Sequence, residues 1–379
     1  MAEDAFPSEL VIPGTQVRVQ AEGLIRAGGV STGNIGIVGT AAPPPPGAPP
    51  LPRTVLLSDY RAALDAFGPY DPFSEGEHNL TRALEILFRA GARTVFARGV
   101  ANAGGIDAAL QEVARENVQI LIAPEMPTAV GGTDANPTAP SILATLTGIV
   151  DAQETQGRDM IAVVGWDEDD LGQIADEDVR PANKRLIMVA PGIRTRETVT
   201  PEDGPPEARD VVLPGRYAAA AVAGLLSTLA VQSSPTNKTV GGVTGVERRF
   251  QRSELSQLLQ AGILPLEQRG GVRVVRGITT DPGAFRQITT RRIVDFAKAG
   301  IRQASNPFIG RLNNQRVRKA LQAGVDSFLT SMLVAEALTD YSLEVLATRD
   351  DEIAGRVHVN ALLQPTFSID FILVTLTLQ

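Results

Sequence analysis

The 379-residue sequence contains no cysteine, only two histidines and no long apolar run. The lack of cysteine excludes disulfides, thiolate metal sites and cysteine nucleophiles. With His78 and His358 as the only imidazoles, general acid–base catalysis and zinc binding have few candidate side chains. No apolar stretch approaches the roughly 18–20 residues of a membrane span, and the acidic start lacks the basic and apolar segments of a signal peptide. We therefore expect a soluble chain, made in the cytosol, without membrane insertion.

The sequence motifs of common enzyme sites are missing as well. No GxxxxGK(S/T) loop, GxSxG elbow or HExxH helix occurs, and no GxGxxG follows the first strands. The acidic run at 167–170 lacks the turn glycine and the closing glutamate of a calcium loop. His78 lies in a polar stretch near a predicted helix start, and His358 lies within a predicted strand. We expect no catalytic, cofactor-binding or metal-binding residues, and therefore no enzyme.

Charge is distributed unevenly along the chain. Residues 151–180 contain ten acidic and two basic side chains, whereas residues 269–319 contain twelve basic and two acidic ones. Such asymmetry is typical of surfaces that meet other charged surfaces, although two solvated faces would produce the same pattern. The formal net charge of −8 argues against a nucleic-acid partner.

Between residues 34 and 278, short apolar strands alternate with amphipathic helices. The strands are predicted at 34–39, 54–57, 94–97, 118–123, 160–164, 186–190 and 272–278, and the main helices at 80–90, 107–116, 140–156, 217–229 and 254–260. Strands separated by helices of this length are typical of βαβ units and of a mostly parallel, covered sheet. The stretch 194–210 is acidic and contains prolines, and we predict a loop or insertion there.

After residue 280 the pattern changes. Two long helices, about 284–304 and 313–337, are followed by strands near 342–348, 355–363 and 366–378. This succession indicates a separate α+β domain. We predict an N-terminal arm at 1–22, an α/β region at 23–280, a C-terminal α+β domain at 281–364 and a C-terminal strand arm at 365–379.

The last predicted strand is apolar on both faces. Phe367, Ile369, Phe371 and Leu373 alternate along one face, and Ile372, Val374, Leu376 and Leu378 add a second face toward the end. Such a strand needs cover on both faces, either in its own domain's sheet or by addition to another subunit's sheet. About 14 extended residues reach roughly 45–50 Å, so both arrangements are open.

Several segments, in order, resemble the contractile tail sheath family. They are VIPG at 11–14, GIVGTAA at 36–42, VLLSDY at 55–60, FG at 67–68, LFRAGA at 87–92, VFARG at 95–99, QGR at 156–158, TRRI at 290–293, NNQRVR at 313–318, GRVHV at 355–359 and QP at 364–365. The resemblance covers nearly the whole chain. Residues 281–285 stand where the family commonly has a Trp-Gly segment, and the insertions of larger sheaths are missing, so the resemblance is to a compact member of the family.

The resemblance implies a structural subunit that forms stacked hexameric rings around an inner tube and contracts to drive that tube through a target envelope. It implies a subtilisin-like fold for the middle domain and arms that are donated to neighbouring subunits. The residues expected in these inter-subunit arms are Val11, Ile12, Pro13, Gly14, Val17, Phe367, Ile369, Phe371, Leu373 and Val374. The expected partners are other copies of the chain, the tube protein, and baseplate and tail terminator proteins, in a virion tail or injection particle assembled in the bacterial host cytoplasm.

The second long C-terminal helix has a basic cluster at its start: Arg316, Arg318 and Lys319 lie in its first turns, and Arg311 lies just ahead of it. Cations at a helix start oppose the helix dipole, at a cost of a few tenths to about 1 kcal/mol each. An acidic partner surface would compensate this cost, and the resemblance places the tube next to this domain. We predict that these four residues face the tube; a solvated basic face is the alternative. The competing functions are an α/β enzyme acting on a small molecule and another tail or baseplate protein with the same C-terminal domain.

Overall fold

A computed structural model of the chain describes residues 30–42, 50–70, 72, 79–124, 142–166, 181–199 and 207–378. The strands are β1 (Ile35–Thr40), β2 (Arg53–Leu57), β3 (Val95–Val100), β4 (Ile120–Ile122), β5 (Ile161–Gly165), β6 (Leu186–Ala190), β7 (Ile193–Val199), β8 (Glu207–Leu213), β9 (Gly245–Val246), β10 (Ile263–Gln268), β11 (Val272–Val274), β12 (Leu338–Leu346) and β13 (His358–Pro365). The α-helices are α1 (Tyr60–Phe67), α2 (Leu80–Arg89), α3 (Ile106–Val113), α4 (Ile142–Thr155), α5 (Gly215–Thr228), α6 (Arg252–Gln260), α7 (Ile288–Ser305), α8 (Gln315–Val334) and α9 (Arg349–Ile353).

The central unit is an eight-stranded sheet covered by helices on both faces. Its strand order is β11-β10-β6-β5-β4-β1-β3-β2, with parallel pairing from β10 through β3 and antiparallel pairing of the two edge strands, β11 and β2. One core contains side chains of α1, α2 and α5, and the other contains side chains of α3, α4 and α6. Both faces of the inner strands are therefore buried, which explains their continuous apolar runs. The prediction of a mostly parallel α/β sheet is confirmed.

The C-terminal unit consists of α7, α8 and the antiparallel hairpin β12–β13. Its core includes Leu321, Val325, Phe328 and Met332, which recur at helical spacing along one face of α8. The Phe328 ring packs onto α7 at Gly300, where a Cβ would lie 1.9 Å from the Phe328 ring. A side chain larger than hydrogen at Gly300 would therefore push the two helices apart.

A cluster of buried charges joins the two units. The guanidinium of Arg185, fully buried, lies 2.9 Å from Glu154, 2.8 Å from Asp159 and 2.9 Å from Asp295. The first two carboxylates belong to the central unit and Asp295 belongs to α7. Further cations from α7 complete the cluster, among them Arg302, which lies 3.0 Å from Asp159. The seam between the units is therefore held by ion pairs as well as by apolar packing.

The structure contains one strand that the sequence did not predict, β10 (Ile263–Gln268), and it corrects two other secondary-structure predictions. The stretch 194–210, predicted as a loop, contributes to the antiparallel strands β7 and β8, paired from Ile193 and Leu213 outward. The inward side chains of β7 include Thr195 and Glu197, both 1% exposed, so the apolar alternation that signals a strand is absent there. The second correction concerns 366–378, which forms no strand ladder with any described residue.

Candidate assembly interface

The chain leaves the C-terminal unit after β13 as an extended segment with apolar side chains in solvent. Phe367, Ile369 and Phe371 are 65%, 80% and 73% exposed, and Leu373 and Val374 are 96% and 73% exposed. Monomeric proteins rarely leave such a contiguous apolar surface uncovered. Its backbone also lacks a ladder partner among the described residues. The segment is therefore a surface that an additional strand or sheet would cover.

The polar residues of this segment face the body of the protein instead. The Thr366 N–H donates to the Ala337 carbonyl at 3.1 Å, and the Ser368 N–H donates to the side-chain oxygen of Gln287 at 3.1 Å. Asp370 Oδ2 accepts from Arg276 Nε at 2.8 Å and from Gln287 Nε2 at 3.2 Å. Alternate residues of one extended stretch thus point to opposite sides, as the period of two requires.

The hairpin β12–β13 has open edges. It forms a two-stranded sheet, paired from Leu346 and His358 to Leu338 and Pro365, with no third strand among the described residues. One face packs on the C-terminal core through half-buried side chains such as Tyr341 and Val359. Leu362 on the hairpin is 68% exposed. An isolated two-stranded sheet with free edges is a ready template for strand addition.

The four predicted tube-facing residues at the start of α8 have two different environments. Arg311, Arg316 and Lys319 are exposed; Arg316 and Lys319, three positions apart, share one side of the helix. Arg318 instead lies 2.9 Å from Glu352 and 2.9 Å from the Asn313 side-chain oxygen, with 17% of its side chain exposed. Its role is to join α8 to α9, which its sequence position could not reveal.

Exposed apolar residues accompany the basic cluster. Ile309 and Leu312 are 80% and 79% exposed in the loop before α8, and the Arg311 guanidinium stacks on Phe308 at 5.3 Å from the ring centroid. Our sequence reasoning missed both apolar residues because it looked only for charge. Buried contact areas often combine apolar anchors with arginine.

His358 takes part in a helix cap. Its Nε2 lies 3.2 Å from Asp351 Oδ1, while Asp351 also accepts hydrogen bonds from the hydroxyl and N–H of Thr348. The Thr348 hydroxyl is the main reason that the pKa of Asp351 is lowered to about 2. Among the residues that the structure describes, no group of three His, Asp or Glu side chains is placed to hold a metal ion, and no helix is long and apolar enough to cross a membrane.

Some predicted residues lie outside the described part of the chain. They are Val11, Ile12, Pro13, Gly14, Val17, His78 and the acidic run 167–170. Of the predicted residues that the structure describes, those of the C-terminal arm follow β13 of the open hairpin, and the exposed cations Arg316 and Lys319 lie on α8 of the same unit. An exposed apolar segment and an open sheet edge are features of a surface that another chain can cover.

Comparison with known proteins defines the class and then the family. The family model for the phage tail sheath protein central domain matches residues 99–280, and the model for the phage tail sheath C-terminal domain matches residues 280–379. Together these two matches span well over half of the chain. The chain belongs to the phage tail sheath protein family and is a structural sheath protein. No curated protein sequence matches it.

Three solved structures that are similar to this chain come from contractile injection systems. The helical sheath of the anti-feeding prophage in the contracted state is similar with a TM-score of 0.72 at 18% identity, covering 97% of this chain and 99% of that one. A chain of the baseplate of the same particle has a TM-score of 0.71 at 18% identity, covering 98% and 100%. The sheath complex of the extracellular contractile injection system PVC, also contracted, has a TM-score of 0.71 at 15% identity, covering 98% of both chains.

Proposed function

We propose that this protein forms a contractile sheath of stacked hexameric rings around an inner tube and drives that tube outward when the sheath contracts. The observation that carries the proposal is the exposed apolar C-terminal segment, on a chain of the phage tail sheath family. A subunit that worked alone would have to cover that segment itself. Assembly into a sheath covers it with the next subunit.

Strand donation links the subunits. The free end after Phe371 adds to an open edge of β12–β13 in a neighbouring copy, where its backbone gains a ladder and its apolar side chains gain cover. The N-terminal arm, with Val11, Ile12, Pro13, Gly14 and Val17, is donated in the same way. Because each copy supplies one C-terminal arm and one hairpin, the contact repeats from subunit to subunit without an end, as a stacked assembly requires.

The inner tube binds at the start of α8. Arg311, Arg316 and Lys319 present exposed positive charge beside the apolar Ile309 and Leu312. Tube carboxylates facing this surface would offset the unfavourable position of cations at a helix start. Arg318 stays within the subunit, because Glu352 already neutralises it.

The remaining features of the proposal concern partners and energy. The stack meets a baseplate at one end and a terminator at the other, and it assembles in the bacterial host cytoplasm into a virion tail or injection particle. The subunit has no catalytic role: contraction uses free energy stored when the extended sheath assembles around its tube. Motion between two packings of the same subunits needs no bound fuel.

The test combines electron microscopy with a truncation. The full-length chain, mixed with its tube protein, is expected to form striated hollow cylinders. Deleting residues 372–379 removes a segment whose described side chains, at 372–378, are exposed in the subunit, so the truncated subunit should unfold at an unchanged temperature but form no stacked cylinder. The matched control is the full-length Leu373→Asp, Val374→Asp variant, which keeps the chain length and should also fail to stack.

Three results would contradict the proposal. Normal cylinders from the truncated chain would show that the arm is dispensable, and a misfolded truncated subunit would show that residues 372–379 belong to the subunit's own core. Discrete rings in place of cylinders from the full-length chain would favour a baseplate protein, as the fold of the anti-feeding prophage baseplate chain suggests.

A further inference from the structure

The C-terminal segment is divided at Phe371. Up to that residue it is attached to the subunit at alternate positions: the Thr366 hydroxyl donates to the Glu336 carbonyl at 2.7 Å, and Ser368 is bonded to Gln287 through both its N–H and its carbonyl. Beyond Phe371, residues 372–378 make no hydrogen bond or ion pair with any other residue that the structure describes. A single extended stretch thus has a bound root, 366–371, and a free end, 372–378.

Asp370 makes the most buried contact of the root. Its side chain is 7% exposed, although its neighbours Ile369 and Phe371 are 80% and 73% exposed. The carboxylate accepts from Arg276, from Gln287 and, at 3.4 Å, from the Thr236 hydroxyl. The guanidinium of Arg276 also stacks on the Phe371 ring, 5.1 Å from its centroid. A charge-assisted bond removed from water holds more firmly than an exposed one.

The partners of Asp370 lie where the two units meet. Arg276 follows β11, the edge strand of the central sheet, and Gln287 immediately precedes α7. A backbone bridge between Ile278 and Gln287 closes this connection. Force on the root is therefore applied, through Asp370, to the junction of the two units as well as to the end of the hairpin β12–β13.

We propose that Asp370 is the residue that pins the C-terminal arm to its own subunit and fixes the point and direction from which the free end departs. The proposal rests on the function given above and deepens it: only residues 372–378 are donated. At 3.3–3.6 Å per residue, these seven residues reach about 23–25 Å, roughly half the reach of the whole predicted arm. The acceptor hairpin of the neighbouring copy must lie within that shorter distance.

A pinned root also makes the arm a mechanical link. If the root could detach from its subunit, a displacement of the neighbouring subunit would only straighten residues 366–371 and would not move the rest of the subunit. With Asp370 bound, the same displacement must move the whole subunit or bend the chain between Phe371 and Ile372. Asp370 thus acts as a positioning residue for the donated strand.

The absence of cysteine allows a direct test on free subunits by spin labelling. One label is placed at Ile369→Cys, on the outward side of the root, and one at Thr375→Cys, in the free end; both positions are exposed. In electron paramagnetic resonance spectra we expect an immobilised label at 369 and a mobile one at 375. Adding Asp370→Asn, or Arg276→Gln from the other side of the pair, should give the 369 label the mobile line shape of 375.

The matched control is Asp210→Asn, which removes one carboxylate from an exposed ion pair with Arg196 on the β7–β8 hairpin. It should leave both spectra unchanged, and thermal unfolding of every variant should match that of the labelled parent. Equal mobility at 369 and 375 in the parent, or a 369 label that stays immobilised in both Asp370→Asn and Arg276→Gln, would overturn the pin. These spectra are taken without assembly, so they are independent of the truncation test: sheath formation by the truncated chain would overturn strand donation and leave the pin standing.

Discussion

At the scale of single residues, Arg185 is a buried cation that depends on the carboxylates around it. It is completely buried, and the three carboxylates around it come from α4, from the turn before β5 and from α7. Two charges of opposite sign in such a site stabilise each other only while all hydrogen bonds are made. The cluster is therefore a fixed seam, and removal of its central cation affects both units at once.

Replacing Arg185 with methionine should destabilise the subunit strongly. Breaking a buried ion pair from one side typically costs about 3–5 kcal/mol, and we expect the lower end because Arg291, Lys298 and Arg302 still contact the carboxylates. Urea unfolding measures the change. Arg196→Met is the control, since that arginine is 64% exposed in its pair with Asp210 and should change the free energy of unfolding by no more than about 1 kcal/mol. Equal effects of the two substitutions would contradict the inference that Arg185 stabilises the contact between the two units.

The same cluster predicts how stability depends on pH. Hydrogen bonding to Arg185 lowers the pKa of Glu154; burial alone would raise the pKa of Asp159, but the bonds from Lys298 and Arg302 outweigh it and lower that pKa. Carboxylates with a lowered folded pKa contribute stability above their unfolded pKa of about 4, and this contribution is lost as the pH falls through the folded value. Asp295 acts in the opposite sense, because burial raises its pKa.

We therefore expect the free energy of unfolding to decrease as the pH falls below about 4. Glu154→Gln should be less stable than the parent at pH 7, and the difference between the two proteins should shrink as the solution is acidified. Urea titrations across the acid range provide the measurement. A difference that stays constant down to the lowest pH would mean that Glu154 is not an ionised member of the cluster.

At the scale of elements, α8 carries two separable functions on neighbouring residues. Its buried face builds the C-terminal core, and its first turns expose Arg316 and Lys319 while Arg318 binds Glu352 on α9. The predicted four-residue tube surface therefore reduces to three residues in our proposal. Substitutions at neighbouring positions of α8 can therefore separate an effect on assembly from an effect on subunit stability.

The double variant Arg316→Glu, Lys319→Glu should lose co-assembly with the tube. Its subunit should be as stable as the parent or more stable by a few tenths of a kcal/mol, because acidic side chains favour a helix start. Sedimentation of sheath with tube and thermal unfolding of the free subunit measure the two effects. Arg318→Glu is the contrasting control: repulsion from Glu352 should destabilise the subunit. Normal tube binding by the double variant would exclude the start of α8 as the tube surface.

At the scale of the whole molecule, the two units should move together. The buried cluster around Arg185 and the pinned root at Asp370 both cross the junction between the central sheet and the C-terminal unit. Contraction should therefore change the angle between subunits more than the shape of one subunit.

Distances between two spin labels test this rigidity. Labels at Glu112→Cys on α3 and Ser327→Cys on α8 report on the two units, both from exposed positions in a chain without cysteine. Sparse labelling among unlabelled copies keeps the measured distance within one subunit. The distance should be the same in free subunits, extended sheaths and contracted sheaths. A shift confined to the contracted state would show that the junction opens.

Much of the fold could be predicted from local patterns. The inner strands of the sheet other than β10 are short apolar runs between helices, and this pattern predicted them. Strands β7 and β8 were not predicted, because the buried Glu197 is neutralised by Arg82, 115 positions away in the sequence. Nothing local distinguishes such a buried acid from a solvated one.

The sequence by itself determined the class of the protein: an α/β region followed by an α+β unit, without the residues of common catalytic sites, ending in a segment whose two apolar faces require cover. It also identified the sheath family through the order of short motifs. Only the tertiary structure decided which ion pairs form. Arg318 pairs with Glu352, Arg185 pairs with Asp295 across 110 positions, and Arg276 pairs with Asp370 across 94 positions. The physical reason is that apolar burial is encoded in the local period of the chain, whereas an ion pair depends on which distant segments the fold brings within about 4 Å.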